Sequence, residues 1–157
     1  MRALVFIALL LATPAFAQEQ SGCDKFKWPI EKERALLASA AAADSGATIT
    51  QPAVKLKLAT DAKLPHAATR PPKTGSHAGF VNVAAPAKAG TYRVTLSAGG
   101  WIDVFQNGKE VKSGDFSGVT GCAGIRKSVK FDLAAAPYVI AITGVTADTV
   151  SVAITAD

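Results

Sequence analysis

Apolar and polar positions change their period as the chain proceeds. Behind Arg2, Ala3 to Ala12 is an almost unbroken apolar run. From Glu31 to Ala43 the residues are strong helix formers interrupted only by Ser39, with Glu31 and Glu33 in the first turn, where the helix dipole favours acids. Pro29 just ahead of them fits a helix entry, and Asp44-Ser45-Gly46 closes the expected helix. Its apolar face is thin and rests on Leu36, Leu37 and alanines. Beyond it the period falls to two: Val54, Leu56 and Leu58 alternate with Lys55 and Lys57, as in a half-buried strand. Asp61 to His77 then loses all period and carries Pro65, Pro71, Pro72 and Gly75, which predicts a long loop.

The second half is denser in strands. Gly79 to Val83 opens it, and two blocks start from a small-residue turn and a tyrosine. These are Ala89-Gly90-Thr91-Tyr92-Arg93-Val94-Thr95-Leu96-Ser97 and Ala136-Pro137-Tyr138-Val139-Ile140-Ala141-Ile142-Thr143-Gly144. Gly99-Gly100 turns into Trp101-Ile102-Asp103-Val104-Phe105. Asn107-Gly108 then marks a hairpin, because a type I′ turn needs positive φ at both central residues. Lys109 to Lys112 returns as a short strand, and Gly114 to Gly124 reads as a glycine-rich loop. Ile125 to Leu133, Tyr138 to Thr143 and Val150 to Thr155 complete about eight short strands, the spacing of a sandwich or barrel. The expected fold is mostly β, a jelly-roll-like antiparallel β-sandwich with one N-terminal helix. An immunoglobulin-like sandwich is the alternative.

Arg2, the apolar run and Ala15-Phe16-Ala17 form a secretory signal over residues 1–17, too short to span a bilayer, which takes ~20 residues. The expected organisation is this signal, an N-terminal segment with the helix over 18–46, and a β-sandwich domain over 47–157. No later segment is long and apolar enough to span a membrane, so the expected location is periplasmic or secreted. Cys23 and Cys122 are the only cysteines. An even pair in an exported chain reads as a disulfide. It would fasten the N-terminal segment to the sandwich.

The formal charge of +5, reduced by one when Arg2 is removed, is mild. Lys25/Lys27, Lys55/Lys57 and Arg126/Lys127/Lys130 are scattered and are not interleaved with aromatics, which excludes a nucleic-acid platform. No G-x-S-x-G elbow is present. Glu31 and Glu33, two apart on a helix, do not face the same way, and helix-start electrostatics accounts for both. His66 and His77 lie in the proline-rich loop without chelating spacing, so no metal and no cofactor are expected. The residues to watch are Trp28 and Trp101. If Ile102 and Val104 line the core, Trp101, Asp103 and Phe105 form an outer patch covered by the helix or by a ligand.

Gly79 to Ala156 resembles the bacterial pre-peptidase C-terminal type of β-sandwich. The likeness lies in Ala89 to Leu96, Trp101 to Phe105 and Pro137 to Gly144. It implies a secreted, non-catalytic jelly roll of a kind that binds polysaccharide, protein fibres or calcium; the acidic run of a calcium site is absent here. The whole chain is similar to small exported proteobacterial proteins, some named homogentisate 1,2-dioxygenase. This second likeness lies in Cys23 to Ile30, Trp101 to Val104, Cys122 and Ile125 to Phe131. That name implies iron-dependent aromatic-ring oxygenation, which uses a two-histidine, one-carboxylate face. The expectation from the residues is a non-catalytic exported envelope binding or accessory module. Its expected partner is a polysaccharide or an envelope protein, and Trp101, Asp103 and Phe105 are the candidate contacts. The alternatives are the iron dioxygenase and a structural subunit of an envelope complex.

Overall fold

The computed structural model describes residues 20–157. The secretory signal expected over residues 1–17 lies outside the described residues. A 3-10 turn, Cys23–Lys25, leads into α1, Glu31–Ala38. The strands are β1 Ala41–Ala43, β2 Thr48–Ile49, β3 Ala53–Lys57, β4 His77–Val83, β5 Gly90–Leu96 and β6 Trp101–Gln106. They continue with β7 Lys109–Val111, β8 Ser113–Gly118, β9 Lys127–Leu133, β10 Tyr138–Val145 and β11 Thr149–Ala156. A six-stranded sheet, β1-β3-β11-β5-β9-β8, faces a five-stranded one, β2-β4-β10-β6-β7, and both sheets are open.

The alternation read from the sequence builds the core. Val54, Leu56, Val94, Leu96, Val129, Phe131 and Val152 point inward from one sheet, and Val81, Ile102, Val104, Ile140 and Ile142 from the other. Burying such side chains is the main favourable term in holding two sheets face to face. Asn107 and Gly108 both have positive φ, 51° and 73°, between β6 and β7, as the hairpin requires.

Three departures from the expected pattern stand out. The helix ends at Ala38, not Ala43, because Ser39 caps it: its N–H and its hydroxyl both donate to the Ala35 carbonyl, at 3.2 and 3.0 Å. Ala41–Ala43 then pair in parallel with Val54, Lys55 and Leu56. The free edge of β3 thus overrides the helix propensity of alanine. The second departure is the β1–β3 pair itself and β2–β4, both parallel, so the sheets are mixed rather than purely antiparallel. β1 lies on the edge of one sheet and β2 on the edge of the other, and both precede their partner strands in the sequence. The third is β8, Ser113–Gly118, which is a strand where the glycines from Gly114 onward predict a loop.

Ile30 and Leu37 pack α1 against Ala53 and Ala153, on the outer side of β3 and β11, together with Val119, Cys122 and Ile125. Cys23 and Cys122 form a disulfide across a sequence separation of 99. Backbone bonds Gly22 N–H to Thr120 C=O and Thr120 N–H to Gln20 C=O, both 2.8 Å, zip the same two segments. Gly121 is in the left-handed region there, at φ 65°, which glycine adopts without the strain a side chain brings.

Glu33 is not simply a helix-start acid. It is 1% exposed, accepts a hydrogen bond from the Thr155 hydroxyl at 2.6 Å and pairs with Arg93 at 3.2 Å. Arg93 also donates to the Pro29 carbonyl and pairs with Asp157, tying helix entry, β5 and β11 together. Removing one partner of a buried pair strands the other charge. Glu33→Ala is therefore expected to cost about 3 kcal/mol or more, whereas Glu31→Ala, on the exposed face, stays within about 0.5 kcal/mol; urea denaturation of the two variants measures the contrast. Replacing both cysteines by serine is expected to remove about 2–4 kcal/mol, read in the same assay.

Candidate functional site

β6 presents two faces. Ile102 and Val104 enter the core, which leaves Trp101, Asp103 and Phe105 on the outer face of the five-stranded sheet. What lies over that face is the proline-rich segment between β3 and β4, not α1. Asp103, 4% exposed, holds it: the Thr69 N–H donates to Oδ2 at 3.1 Å and the Thr69 hydroxyl donates to Oδ1. The Trp101 indole Nε1 donates to the same Oδ1 at 2.9 Å and to the Thr69 oxygen at 2.8 Å. Phe105 is buried, with the His66 ring stacked on it at 4.5 Å between centroids. The three predicted residues thus share one face but differ in access. Asp103 and Phe105 anchor the chain's own loop, and half-buried Trp101 remains available at its edge.

Trp101 forms one wall of a groove of about 310 Å³ where the two sheets part, lined also by Ile102, Ser113, Gly114, Phe116, Lys127 and Val129. Phe116 of β8 pairs with Val129 of β9, so its ring hangs toward the gap from the open edge of the six-stranded sheet. It is 60% exposed and, among the described residues, the one large hydrophobic side chain left in solvent. Depressions of about 380 and 390 Å³ beside β1 and α1 have no aromatic wall. One of about 330 Å³ has two tyrosines, but Tyr138 is buried and the Tyr92 hydroxyl donates to the Lys88 carbonyl.

Two cations converge on Trp101. The Arg70 guanidinium lies 4.2 Å from the ring centroid and the Lys127 ammonium 4.8 Å. Lys127 reaches across from β9 and donates to the Gly100 carbonyl at 3.2 Å. Burial pushes its pKa below the ordinary lysine value, the neighbouring Arg70 and Arg126 push it the same way, and Asp103 opposes them. Among the described residues no carboxylate forms a salt bridge with Arg70 or Lys127. Cation–π attraction to the indole compensates only in part, at about 0.5–2 kcal/mol per contact.

An iron centre does not fit these residues. Among the described residues no group of three or more His, Cys, Asp or Glu could hold a metal ion. Both cysteines are in the disulfide. The histidines are not both in the loop as expected: His66 is, stacked on Phe105, whereas His77 opens β4, half-buried, with no hydrogen-bond partner for its Nδ1.

Arg70, Phe116 and Lys127 were not legible as a set. Phe116 sits in a stretch whose glycines predict a loop, and Lys127 is one of many scattered cations. Only the pairing of β8 with β9, beside β6, brings them together.

Because the unfolded chain binds the Lys127 proton more tightly than the folded one, this residue makes stability rise with pH. The rise falls between the folded inflection and the ordinary lysine value of about 10.4. An NMR titration of the Lys127 side chain is expected to show an inflection below that value, moved upward by Arg70→Gln. An unshifted inflection in both proteins would show that the ammonium is not crowded.

Compared with protein-family models, curated proteins and solved structures, the chain matches none.

Proposed function

We propose that this chain is a non-catalytic binding module of the cell envelope, exported to an oxidising compartment, with the Trp101–Phe116 groove as its contact surface. The observation that carries this reading is Phe116, held in solvent opposite Trp101 at the parting of the sheets. A lone exposed phenylalanine needs no explanation. One that lines a groove with a tryptophan, bordered by two cations without a salt bridge among the described residues, has the make-up of a recognition site, where aromatic residues and arginine dominate binding energy.

The rest of the chemistry points the same way. The buried carboxylates Asp103 and Glu33 are committed to Thr69, Trp101, Thr155 and Arg93, and so act as fasteners rather than acids or bases. The Cys23–Cys122 bond suits an oxidising location. Ring oxygenation would require an iron-ligand face that the described residues do not supply.

The test is a titration with envelope polysaccharides followed by Trp fluorescence and by NMR. Shifts clustered at Trp101, Phe116 and Lys127 are expected. Phe116→Ala is expected to lower affinity at least about tenfold while changing stability by no more than about 0.5 kcal/mol. Oxygen uptake with homogentisate after loading with ferrous iron, abolished by His66→Ala or His77→Ala, would overturn the proposal in favour of the dioxygenase.

A further inference from the structure

We infer that the groove takes an acidic polysaccharide, its sugar rings lying against Phe116 and its anionic group received by Lys127 and Arg70, which Trp101 holds in place. This rests on the binding reading above and adds the charge and class of the ligand.

The inference comes from comparing the cation–aromatic contacts of this protein. Lys27 lies over Phe116 and is neutralised by Asp115 at 2.6 Å. Lys130 lies over Trp28 and is neutralised by Asp157 at 2.5 Å. Arg93, under α1, has both Glu33 and Asp157. Arg70 and Lys127 differ: they flank one indole, and neither has a carboxylate partner among the described residues. Two like charges held beside one another and partly desolvated are costly, and an external anion between them removes that cost. The Arg70 guanidinium can bind a carboxylate or a sulfate ester through two parallel N–H bonds, with Lys127 as a second point charge.

The shape selects among anions. Nucleic acid would be expected to meet a groove of cations tracking its backbone, with successive rings as stacking platforms. Here the charge is local, and the two aromatic walls stand on either side of a short groove. That suits a chain of saturated rings carrying a charge on each unit or every few units. Asp103 offsets part of the attraction for an anion through its charge, which acts on Lys127, but its oxygens are engaged by hydrogen bonds from the loop and the indole and do not bridge either cation.

The experiment uses the exported, oxidised protein and four probes measured by calorimetry and NMR. These are a galacturonate hexamer, its carboxyl-reduced neutral form, a sulfated glucan oligomer, and phosphatidylglycerol vesicles. The hexamer or the sulfated oligomer is expected to bind with shifts at Trp101 and Phe116, and whichever binds more tightly identifies the anionic group. The neutral form is expected to bind at least about tenfold more weakly, and added salt to weaken the acidic probe. Arg70→Gln with Lys127→Gln is expected to lose about tenfold or more for the acidic probe, while Lys55→Gln with Lys57→Gln, which removes the same charge from β3, leaves it unchanged. If Lys127→Gln impairs folding, Arg70→Gln alone carries the test, because Arg70 is exposed. Equal binding of neutral and acidic forms at the groove overturns the inference and leaves the binding module standing. Vesicle binding without saccharide binding overturns the saccharide class. No binding of any probe at the groove overturns both.

Discussion

Asp103 is a carboxylate on the outer face of a central strand, where a sheet residue ordinarily meets water or an apolar cover. In this protein it meets Thr69 and the Trp101 indole, and both of its oxygens are used. The proline-rich segment over that face has no regular backbone ladder of its own, so its position depends on side-chain anchors. Asp103 supplies one, the His66–Phe105 stack a second, and the Thr143 hydroxyl, which donates to the Arg70 carbonyl, a third. The consequences reach the groove. Thr69 fixes its neighbour Arg70 over the indole, and the indole's N–H is turned inward, which sets how its ring faces the gap. Without the carboxylate the segment would lose its register and Trp101 its orientation.

The opposite wall depends on a different constraint. β8 is the last strand of an open sheet, and such an edge invites pairing with other chains. It is short, contains two glycines, and its register shifts between Ser113 and Phe116, which breaks any regular edge. The N-terminal segment shields its outer side: the Lys27 N–H donates to Ser117, and the Lys27 ammonium pairs with Asp115. That segment is in turn held by the disulfide and by the Glu33–Arg93–Thr155 cluster. The fastening of the N-terminus and the exposure of Phe116 are thus parts of one arrangement. On the outer face Ser117 is covered by the N-terminal segment, while the Phe116 ring hangs into the groove and stays open.

How much of this was legible follows from the range of each interaction. Period-two alternation reports a local property, which face is buried: it set Val54, Leu56 and Leu58 against Lys55 and Lys57, and all three apolar residues lie in the core. Asn107-Gly108 is equally local. The cysteine pairing was readable because only one pairing exists. The alanine run misled because its propensity is weak and the edge of β3 decided its state. Glu33 was misread because its partners are Arg93 and Thr155, far along the chain, and no local pattern announces a buried acid. The groove is the extreme case. The face of Trp101, Asp103 and Phe105 followed from alternation, but its cover by residues 66–70 and its juxtaposition with β8 are long-range facts.

Stability and site are in tension at one spot. Lys127 occupies an inward row with Val129 and Phe131, where an aliphatic side chain would extend the core toward the gap. Its four-carbon stem can serve that packing, but the ammonium it carries is half-buried and crowded by two arginines, and against them it has a backbone carbonyl, an aromatic face and the charge of Asp103, with no salt bridge. Phe116, on the neighbouring strand of the same sheet, leaves apolar surface in water. Each departs from what packing alone would choose, in opposite senses: a charge where the core ends and a ring where the solvent begins. An anionic ring polymer corrects both at once, because it brings a counter-charge to the ammonium and a hydrocarbon face to the phenylalanine. A neutral sugar would correct only the second, and a small inorganic anion only the first.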